Sequence, residues 1–299
     1  MCGIVGLFLK DPALEPELGG HLAAMLAVMS DRGPDSAGFA VYGGGEADRV
    51  KLTVRLPAGH AAEAFDAALA AALDGRATVR RRGTHAVVSV PAGLVEAATK
   101  AVVEAEPAAR VVSAGNRMEV YKEVGLPADV ARAFDLAGMS GSHGIGHTRM
   151  ATESAVTTAG AHPFSTGPDQ CLVHNGSLSN HNQVRRRLVR EGISFATDND
   201  TEVAAGYLTW RLAQGASLGE ALEASLKDLD GFYTFVVGTE SGFGVLRDPI
   251  ACKPAVMAET DDYVAFGSEF RALAVLPGIE TARVFEPEPA TVYFWERAA

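Results

Sequence analysis

The stretch Cys2-Gly3-Ile4-Val5-Gly6-Leu7-Phe8-Leu9, directly behind Met1, places a cysteine immediately before an apolar run that reads as a strand. Removal of Met1 would leave this cysteine with both a thiol and a free α-amine. In model compounds the two groups have pKa values of about 8.5 and about 7.7 to 8.0, so a proton can pass between them near neutral pH. An N-terminal amine can activate a nucleophile in this way. The alternative is that Cys2 only fills space at the start of a buried strand.

The composition is that of an ordinary globular protein, because 47% of the 299 residues are hydrophobic and 21% are charged. This length allows two domains or one large one. The 26 Lys and Arg residues against 37 Asp and Glu residues give a net charge of −11, which disfavours a nucleic-acid partner. Arginine triplets at 80–82 and 185–187 are typical of a solvated surface. The alternative interpretation is that they dock an acidic partner.

The three cysteines are Cys2, Cys171 and Cys252, and their odd number and wide spacing disfavour a disulfide framework and a zinc site. No apolar run approaches the 18 residues that a transmembrane helix needs. No signal peptide precedes Cys2. We therefore expect a cytoplasmic protein with no metal and no membrane contact.

Strand-like runs recur along the chain, with helical periodicity between them. The predicted strands are 3–9, 36–42, 86–90, 144–147, 170–174, 232–238, 242–247, 263–267 and 291–295. The predicted helices are 20–29, 61–73, 94–105, 130–137, 182–191, 201–214 and 217–229. Strands that cluster toward both ends of the chain favour α+β layering over a regular βαβ alternation.

An alanine-rich segment at about 57–112 stands apart from the rest and reads as two helices around a strand. It is either a small inserted subdomain or helical padding on a sheet edge. The chain contains neither a GxGxxG turn nor a GxxxxGK[ST] loop, so it carries no signature of a nucleotide cofactor.

Four further motifs follow Cys2. They are Asp31-Arg32-Gly33-Pro34-Asp35-Ser36-Ala37-Gly38, Gly146-His147-Thr148-Arg149-Met150-Ala151-Thr152, His174-Asn175-Gly176 and Asp198-Asn199-Asp200-Thr201-Glu202. In this order they resemble the class II glutamine amidotransferases, which are N-terminal-nucleophile (Ntn) hydrolases, over the whole chain except 57–112. The resemblance implies one amidotransferase domain over 2–299. Its expected fold is α+β, a four-layer αββα sandwich of two antiparallel sheets.

Glutamine presents a carboxylate, an ammonium group and a carboxamide, so a selective pocket needs a cation, an anion and an oxyanion hole. Arg149 offers a planar fork that can bind a carboxylate through two parallel hydrogen bonds. The resemblance gives Arg149 this role, with Thr152 as a neighbouring hydroxyl ligand, and assigns the ammonium group to Asp200. Read alone, Asp198 or Asp200 would be the N-cap of the following helix.

Asn175 and Gly176 suit an oxyanion hole, in which an amide side chain and a backbone N–H face the developing charge. The alternative for this dipeptide is a type I′ hairpin turn. The resemblance places Arg32 in support of the Cys2 end. The histidines 143, 147, 162 and 174 are expected to be structural, because the α-amine already fills the role of the base.

The implied reaction is attack of Cys2 on the glutamine carboxamide, with release of ammonia, followed by hydrolysis of the γ-glutamyl thioester. No metal or organic cofactor is needed in this chain. Three positions depart from the family pattern. Many members carry Trp and His within the arginine motif, where this chain has Met150 and Glu153, and Ala251 stands where a glycine is usual.

The chain ends at Ala299, which leaves no room for a synthase domain behind the amidotransferase domain. The resemblance therefore implies a separate synthase subunit, as in N-methylglutamate synthase and similar glutamate-synthase-like complexes, whose partner subunits carry FMN and iron-sulfur clusters. Two alternatives are a different Ntn-type amide hydrolase and a non-catalytic, glutamine-binding regulatory subunit. The joint presence of Arg149 and Asp200 argues against the first, and the intact Cys2 and Asn175 argue against the second.

Overall fold

The computed structural model describes residues 2–151 and 155–297. The strands formed there are β1 (Gly3–Leu9), β2 (Ser36–Tyr42), β3 (Arg49–Arg55), β4 (Thr78–Arg82), β5 (His85–Pro91), β6 (Arg110–Gly115), β7 (Met118–Val124), β8 (His143–Arg149), β9 (Phe164–Gly167), β10 (Gln170–Leu178), β11 (Gly231–Gly238), β12 (Gly242–Arg247), β13 (Val256–Glu259), β14 (Tyr263–Gly267), β15 (Arg283–Phe285) and β16 (Val292–Glu296). The α-helices are α1 (Leu18–Ala27), α2 (Ala62–Ala72), α3 (Val95–Ala105), α4 (Pro127–Ala133), α5 (His181–Arg190), α6 (Asp200–Ala213) and α7 (Leu218–Asp228). None of the helices in these two ranges is long and apolar enough to cross a bilayer.

The first sheet has the strand order β15-β13-β14-β1-β8-β2-β7, and its neighbouring strands are antiparallel. All seven residues of β1 are buried, as expected for a central strand covered on both faces. Pairing of Gly3 with Thr148 aligns the start of β1 with the end of β8. This register brings Cys2 and Arg149 to the same edge of the sheet.

The second sheet has the order β16-β12-β11-β10-β9 and is also antiparallel. One hydrophobic core lies between the two sheets and includes Ile4 from β1 and Val173 from β10. Helices α1 and α4 cover the outer face of the first sheet, and helices α5, α6 and α7 cover that of the second. The predicted α+β fold, an αββα sandwich of two antiparallel sheets, is confirmed.

A third, four-stranded antiparallel sheet has the order β4-β5-β3-β6, with α2 and α3 packed on one face. Leu52 and Val88 of the sheet belong to a separate core, together with Phe65 of α2 and Val102 of α3. This unit runs from β3 to β6 and is larger than the predicted 57–112. It contains four strands, whereas the sequence indicated a single strand between two helices.

The other face of the third sheet docks on β7 through ion pairs. Both carboxylate oxygens of Glu119 accept hydrogen bonds from Arg80 at 2.7 Å, and Lys51 lies 3.3 Å from the same group. Arg81 pairs with Asp66 on α2, and Arg82 pairs with Asp135 after α4. Arg81 and Arg82 are half-buried in these contacts, so the interpretation of the triplet as a solvated surface was wrong for these two residues, whereas Arg80 is exposed.

Candidate active site

A cleft of about 780 Å³ opens where β1 begins, β8 ends and α6 begins. Its lining includes Cys2, Arg149, Asn175, Gly176 and Asp200, five residues that come from four separate motifs of the sequence. Thr152, predicted as a neighbouring ligand, lies outside the described residues. The fold thus brings the other predicted catalytic and substrate-binding residues to one cleft.

Cys2 is half-buried, and two side chains hold its backbone. Its carbonyl oxygen accepts hydrogen bonds from Arg32 Nε at 2.9 Å and from Asn175 Nδ2 at 3.3 Å. Arg32 is itself 8% exposed and donates from Nη1 to Glu269 at 2.5 Å. This hydrogen bond is the main cause that lowers the pKa of Glu269. Arg32 therefore contacts the backbone of Cys2, as the support role requires.

The loop at 31–35 fixes the end of β8. Asp35 accepts a hydrogen bond from the Ala151 N–H at 2.8 Å, and its own N–H donates to the Arg149 carbonyl at 3.1 Å. A Cβ atom on Gly33 would lie 2.3 Å from the carbonyl carbon of Thr148, so only glycine allows this close approach. The loop therefore sets the position from which Arg149 reaches the cleft.

Asn175 and Gly176 lie inside β10, opposite Thr234 and Tyr233 of β11. The alternative of a type I′ turn at this dipeptide was wrong. Gly176 has a φ of +151°, and a Cβ atom there would lie 2.0 Å from the carbonyl oxygen of Phe232. This position therefore needs glycine for its backbone conformation and for its distance from the neighbouring strand.

The Gly176→Ala variant is expected to lose about 2 to 4 kcal/mol of unfolding free energy, since the new Cβ adds a collision to an unfavourable φ. Gly215→Ala is the matched control, because Gly215 also has a positive φ of +89° but open space around its Cβ position. It should lose about 1 kcal/mol. Urea denaturation of both variants measures the difference in unfolding free energy. Equal losses would show that the neighbouring strand moves to accept the new Cβ atom without an energetic cost.

Asp200 is the first residue of α6, but it is not the N-cap. Asn199 has that role and accepts a hydrogen bond from the Thr201 N–H at 2.8 Å. Asp200 Oδ2 instead accepts from the Leu178 N–H at 2.9 Å, and 24% of its side chain is exposed. The N-cap alternative for Asp198 and Asp200 was therefore wrong, and both residues line the cleft.

Two residues, Glu202 of the fourth motif and Arg185 of the second triplet, hold the segment 196–199 beside Asp200, a role that the sequence did not indicate. The buried carboxylate of Glu202 accepts hydrogen bonds from the backbone N–H groups of Ala196 and Thr197, each at 2.7 Å. Arg185 donates to the carbonyls of Thr197 and Asn199 at 2.8 and 3.2 Å. Arg185 thus belongs to the support of the cleft. Its side chain is half-buried, so the surface interpretation of the triplet at 185–187 was wrong at this residue.

Three buried histidines form a layer at the cleft, which His162 and His174 line. His147 Nε2 donates to the His174 carbonyl at 3.1 Å, and Thr201 Oγ1 bonds to His174 Nδ1 at 3.0 Å and to His162 Nε2 at 3.1 Å. Burial lowers the pKa of His147 to about 3 and also lowers the pKa values of His162 and His174. These rings are neutral at neutral pH and link β8, β10 and α6, which agrees with a structural role.

Comparisons with known proteins agree with this arrangement. A family model described as a glutamine amidotransferase domain matches residues 147–275. The glutamine amidotransferase-like protein GlxB of Rhizobium meliloti (strain 1021) is 62% identical over 298 residues, which cover 99% of this chain and 98% of that protein. A putative glutamine amidotransferase of Methanothermobacter thermautotrophicus is 35% identical over 316 residues, 99% of this chain and 100% of that one.

The solved structure of a glutamine phosphoribosylpyrophosphate amidotransferase from B. subtilis superposes with a TM-score of 0.62 at 20% identity. The match covers 99% of this chain and 47% of that chain, so the protein spans about half the length of this structural neighbour. At this identity the similarity shows the fold alone. Together with the two relatives aligned over their full lengths, it leads to one conclusion: the chain belongs to the class II glutamine amidotransferase family.

Proposed function

We propose that this protein hydrolyses L-glutamine to glutamate and ammonia through a thioester on Cys2, and that it supplies the ammonia to a separate glutamate-synthase-like subunit. The observation that carries the proposal is the meeting of Cys2, Asn175, Gly176, Arg149 and Asp200 in one cleft. Selective hydrolysis of glutamine needs four features, which are a nucleophile, an oxyanion hole, a cation and an anion.

Substrate recognition divides between the two charged residues. Arg149 is 7% exposed and lines the cleft, and a buried guanidinium is well suited to bind the α-carboxylate through two hydrogen bonds. Asp200 is fixed by the Leu178 N–H and is partly open to the cleft, where it would bind the α-ammonium group. Thr152 is proposed as a further ligand of the carboxylate.

The chemistry follows from the position of Cys2. Once Met1 is removed, the α-amine of Cys2 takes the thiol proton, and the thiolate attacks the carboxamide carbon. The oxyanion is stabilised by Asn175 Nδ2 and the Gly176 N–H. The α-amine then returns the proton to the departing nitrogen, ammonia leaves, and a γ-glutamyl thioester remains. Water attacks the thioester, and glutamate and the free thiol are released.

Changing Arg149 to lysine is expected to raise KM for L-glutamine by about 100-fold with a smaller effect on kcat, because an ammonium cannot reproduce the bidentate contact. The measurement is steady-state glutamate release, with L-glutamine amide as a second substrate that lacks the carboxylate. Arg149→Lys should scarcely change kcat/KM for that amide.

Arg186→Lys, at an exposed position of α5, is the matched control and should leave both constants unchanged. If Arg149→Lys lowers kcat/KM equally for the substrates with and without a carboxylate, Arg149 does not bind that group. An equal kcat/KM of the unaltered protein for L-glutamine and for simple acyl amides would instead favour a different amide hydrolase.

The acceptor of the ammonia is proposed to be a separate subunit that carries FMN and iron-sulfur clusters. Two relatives that this chain covers over 98% and 100% of their lengths support an amidotransferase without a fused synthase domain. The test is affinity purification of the tagged full chain from its native cells, with mass spectrometry and absorption spectra of the eluate. Co-purification of a flavin and iron-sulfur protein is expected, and full glutaminase activity with nothing co-purified would contradict a dedicated partner.

A further inference from the structure

Lys122, in β7, is a buried lysine whose ammonium group faces backbone carbonyls. Its Nζ donates to the carbonyl oxygens of Ala161 at 2.8 Å, Pro163 at 3.2 Å and Ala159 at 3.3 Å, and it lies 4.3 Å from the centre of the Phe164 ring. Only 7% of the residue is exposed. An ammonium group has three N–H donors, so these three carbonyls match its capacity.

The segment that Lys122 holds, residues 155–163, forms one wall of the cleft. Residues of this segment that line the cleft are Ala155, Thr157, Ala159, Gly160 and His162. At its start, the carbonyl of Ala155 accepts a hydrogen bond from Arg149 Nη1 at 3.3 Å. The conformation of the segment therefore bears directly on where the guanidinium of Arg149 points.

Glu123, next to Lys122 on β7, fixes the same segment at a second point. Its carboxylate accepts hydrogen bonds from Thr158 Oγ1 in the segment and from Thr84 Oγ1 in the turn between β4 and β5 of the third sheet, the latter at 3.0 Å. The third sheet, β7 and the cleft wall are thereby connected through hydrogen bonds. Lys122 places its positive charge on three carbonyls of the wall, and Arg149 donates to a fourth, that of Ala155.

We propose that Lys122 is a positioning residue for glutamine binding, which holds residues 155–163 so that Arg149 is presented to the substrate carboxylate. This inference rests on the proposed glutaminase function. If the ammonium group is removed, the buried carbonyls of Ala161 and Pro163 and the partly exposed carbonyl of Ala159 lose this donor, and the wall must rearrange to find other partners.

The protonation state of Lys122 gives the proposal a second readout. Burial lowers the pKa of Lys122 to about 8. Glu202 favours the charged form, while Arg55 opposes it and His162 faces it as a neutral ring. The ammonium form dominates below pH 8, and the neutral amine, with one donor fewer, accumulates above it. KM for glutamine is therefore expected to rise as the pH passes 8.

The experiment measures kcat and KM for L-glutamine between pH 6.5 and pH 9.5, values chosen to span the lysine titration, for the unaltered protein, Lys122→Met and Lys122→Arg. Lys122→Met should raise KM by about 10- to 100-fold at all pH values, with a smaller change in kcat. Lys122→Arg, which stays charged, should keep KM low and lose its rise above pH 8. The substrate and the nucleophile are the same in all three proteins, so only the difference at position 122 remains in the comparison.

A substrate-independent measurement keeps the inference separate from the proposed function. The amides of Gly160 and Ala161 donate to Thr157 Oγ1 and the Thr158 carbonyl, and hydrogen exchange at these amides reports on the wall. Lys122→Met should accelerate this exchange by about tenfold or more, while Lys100→Met, at an exposed position of α3, should not.

The outcomes are distinct. If the unaltered protein does not hydrolyse glutamine, the proposed function fails, and the hydrogen exchange still tests the role of Lys122. If glutamine is hydrolysed but Lys122→Met leaves KM, its pH dependence and the exchange unchanged, the role of Lys122 is overturned. Faster exchange and a raised KM in Lys122→Met support the role of Lys122. These two measurements suffice even if Lys122→Arg fails to fold.

Discussion

The Cys2→Ala variant is expected to lower the rate of glutamate release from L-glutamine by about 10⁴-fold or more, because no second cysteine lies among the described residues that line the cleft. The change removes a half-buried side chain at the start of β1 and leaves the contacts of its carbonyl with Arg32 and Asn175 in place. Folding should therefore be retained. Coupled assays of ammonia and glutamate, with circular dichroism as a check on folding, measure the effect.

The chain offers its own control for this prediction. Cys252 is an exposed free cysteine, and Cys252→Ala should leave the rate unchanged. If Cys2→Ala retains more than a few per cent of the rate of the unaltered protein, the thioester mechanism is excluded.

A second variant separates the thiol of Cys2 from its α-amine. Insertion of one alanine between Met1 and Cys2 keeps the thiol but moves the free amine to the inserted residue. The rate should again fall by about 10²- to 10⁴-fold, since a general base contributes about that much. Intact mass spectrometry establishes the removal of Met1 in each protein. An undiminished rate after the insertion would show that another group is the base.

The second large effect is expected at Asn175, where the Asn175→Ala variant should lower kcat by about 100- to 1,000-fold with little change in KM. Asn175 is 4% exposed, and its Nδ2 group lies 3.3 Å from the Cys2 carbonyl, so the donor is fixed beside the nucleophile. Asn175→Asp should be at least as damaging, because a carboxylate repels the developing oxyanion. Steady-state kinetics with L-glutamine give both constants.

Asn182→Ala, at an exposed position on α5, is the matched control and should behave as the unaltered protein. A rise of KM with unchanged kcat in Asn175→Ala would contradict the oxyanion role, because it would mean that Asn175 binds the ground state and the transition state equally.

The central strands of the main sandwich could be predicted because they are buried on both faces. Four partly buried strands, β7, β9, β13 and β15, were not predicted. The apolar runs of β1, β2, β12 and β14 agree with the predicted bounds. The third sheet was harder to predict, since β3 and β4 carry Arg49, Lys51 and the triplet at 80–82. These charged residues interrupt the alternation of apolar and polar residues that is typical of a strand. These side chains bond to residues such as Glu119 that are distant in sequence.

The candidate site could be predicted as far as its residues carry distinctive chemistry. Cys2, Arg149 and Asn175 have side chains whose type and motif indicate a role. Lys122 had no such signal, because its partners are backbone carbonyls 37 to 41 residues further along the chain. Every residue has a backbone carbonyl, so the residue types do not show which carbonyls bind a lysine. The meaning of Asn175-Gly176 also depended on the tertiary fold, since both a turn and a strand accommodate this dipeptide.

The central claim is that glutamine is hydrolysed through a thioester on an N-terminal Cys2. The most direct test mixes the protein with L-glutamine, quenches the mixture in acid during turnover, and determines the masses of its N-terminal peptides. We predict a peptide that begins at Cys2 and carries a γ-glutamyl group on the thiol. The same adduct should form in Cys252→Ala and should be absent from Cys2→Ala. Glutamate release that continues without this adduct and persists in Cys2→Ala would contradict the claim.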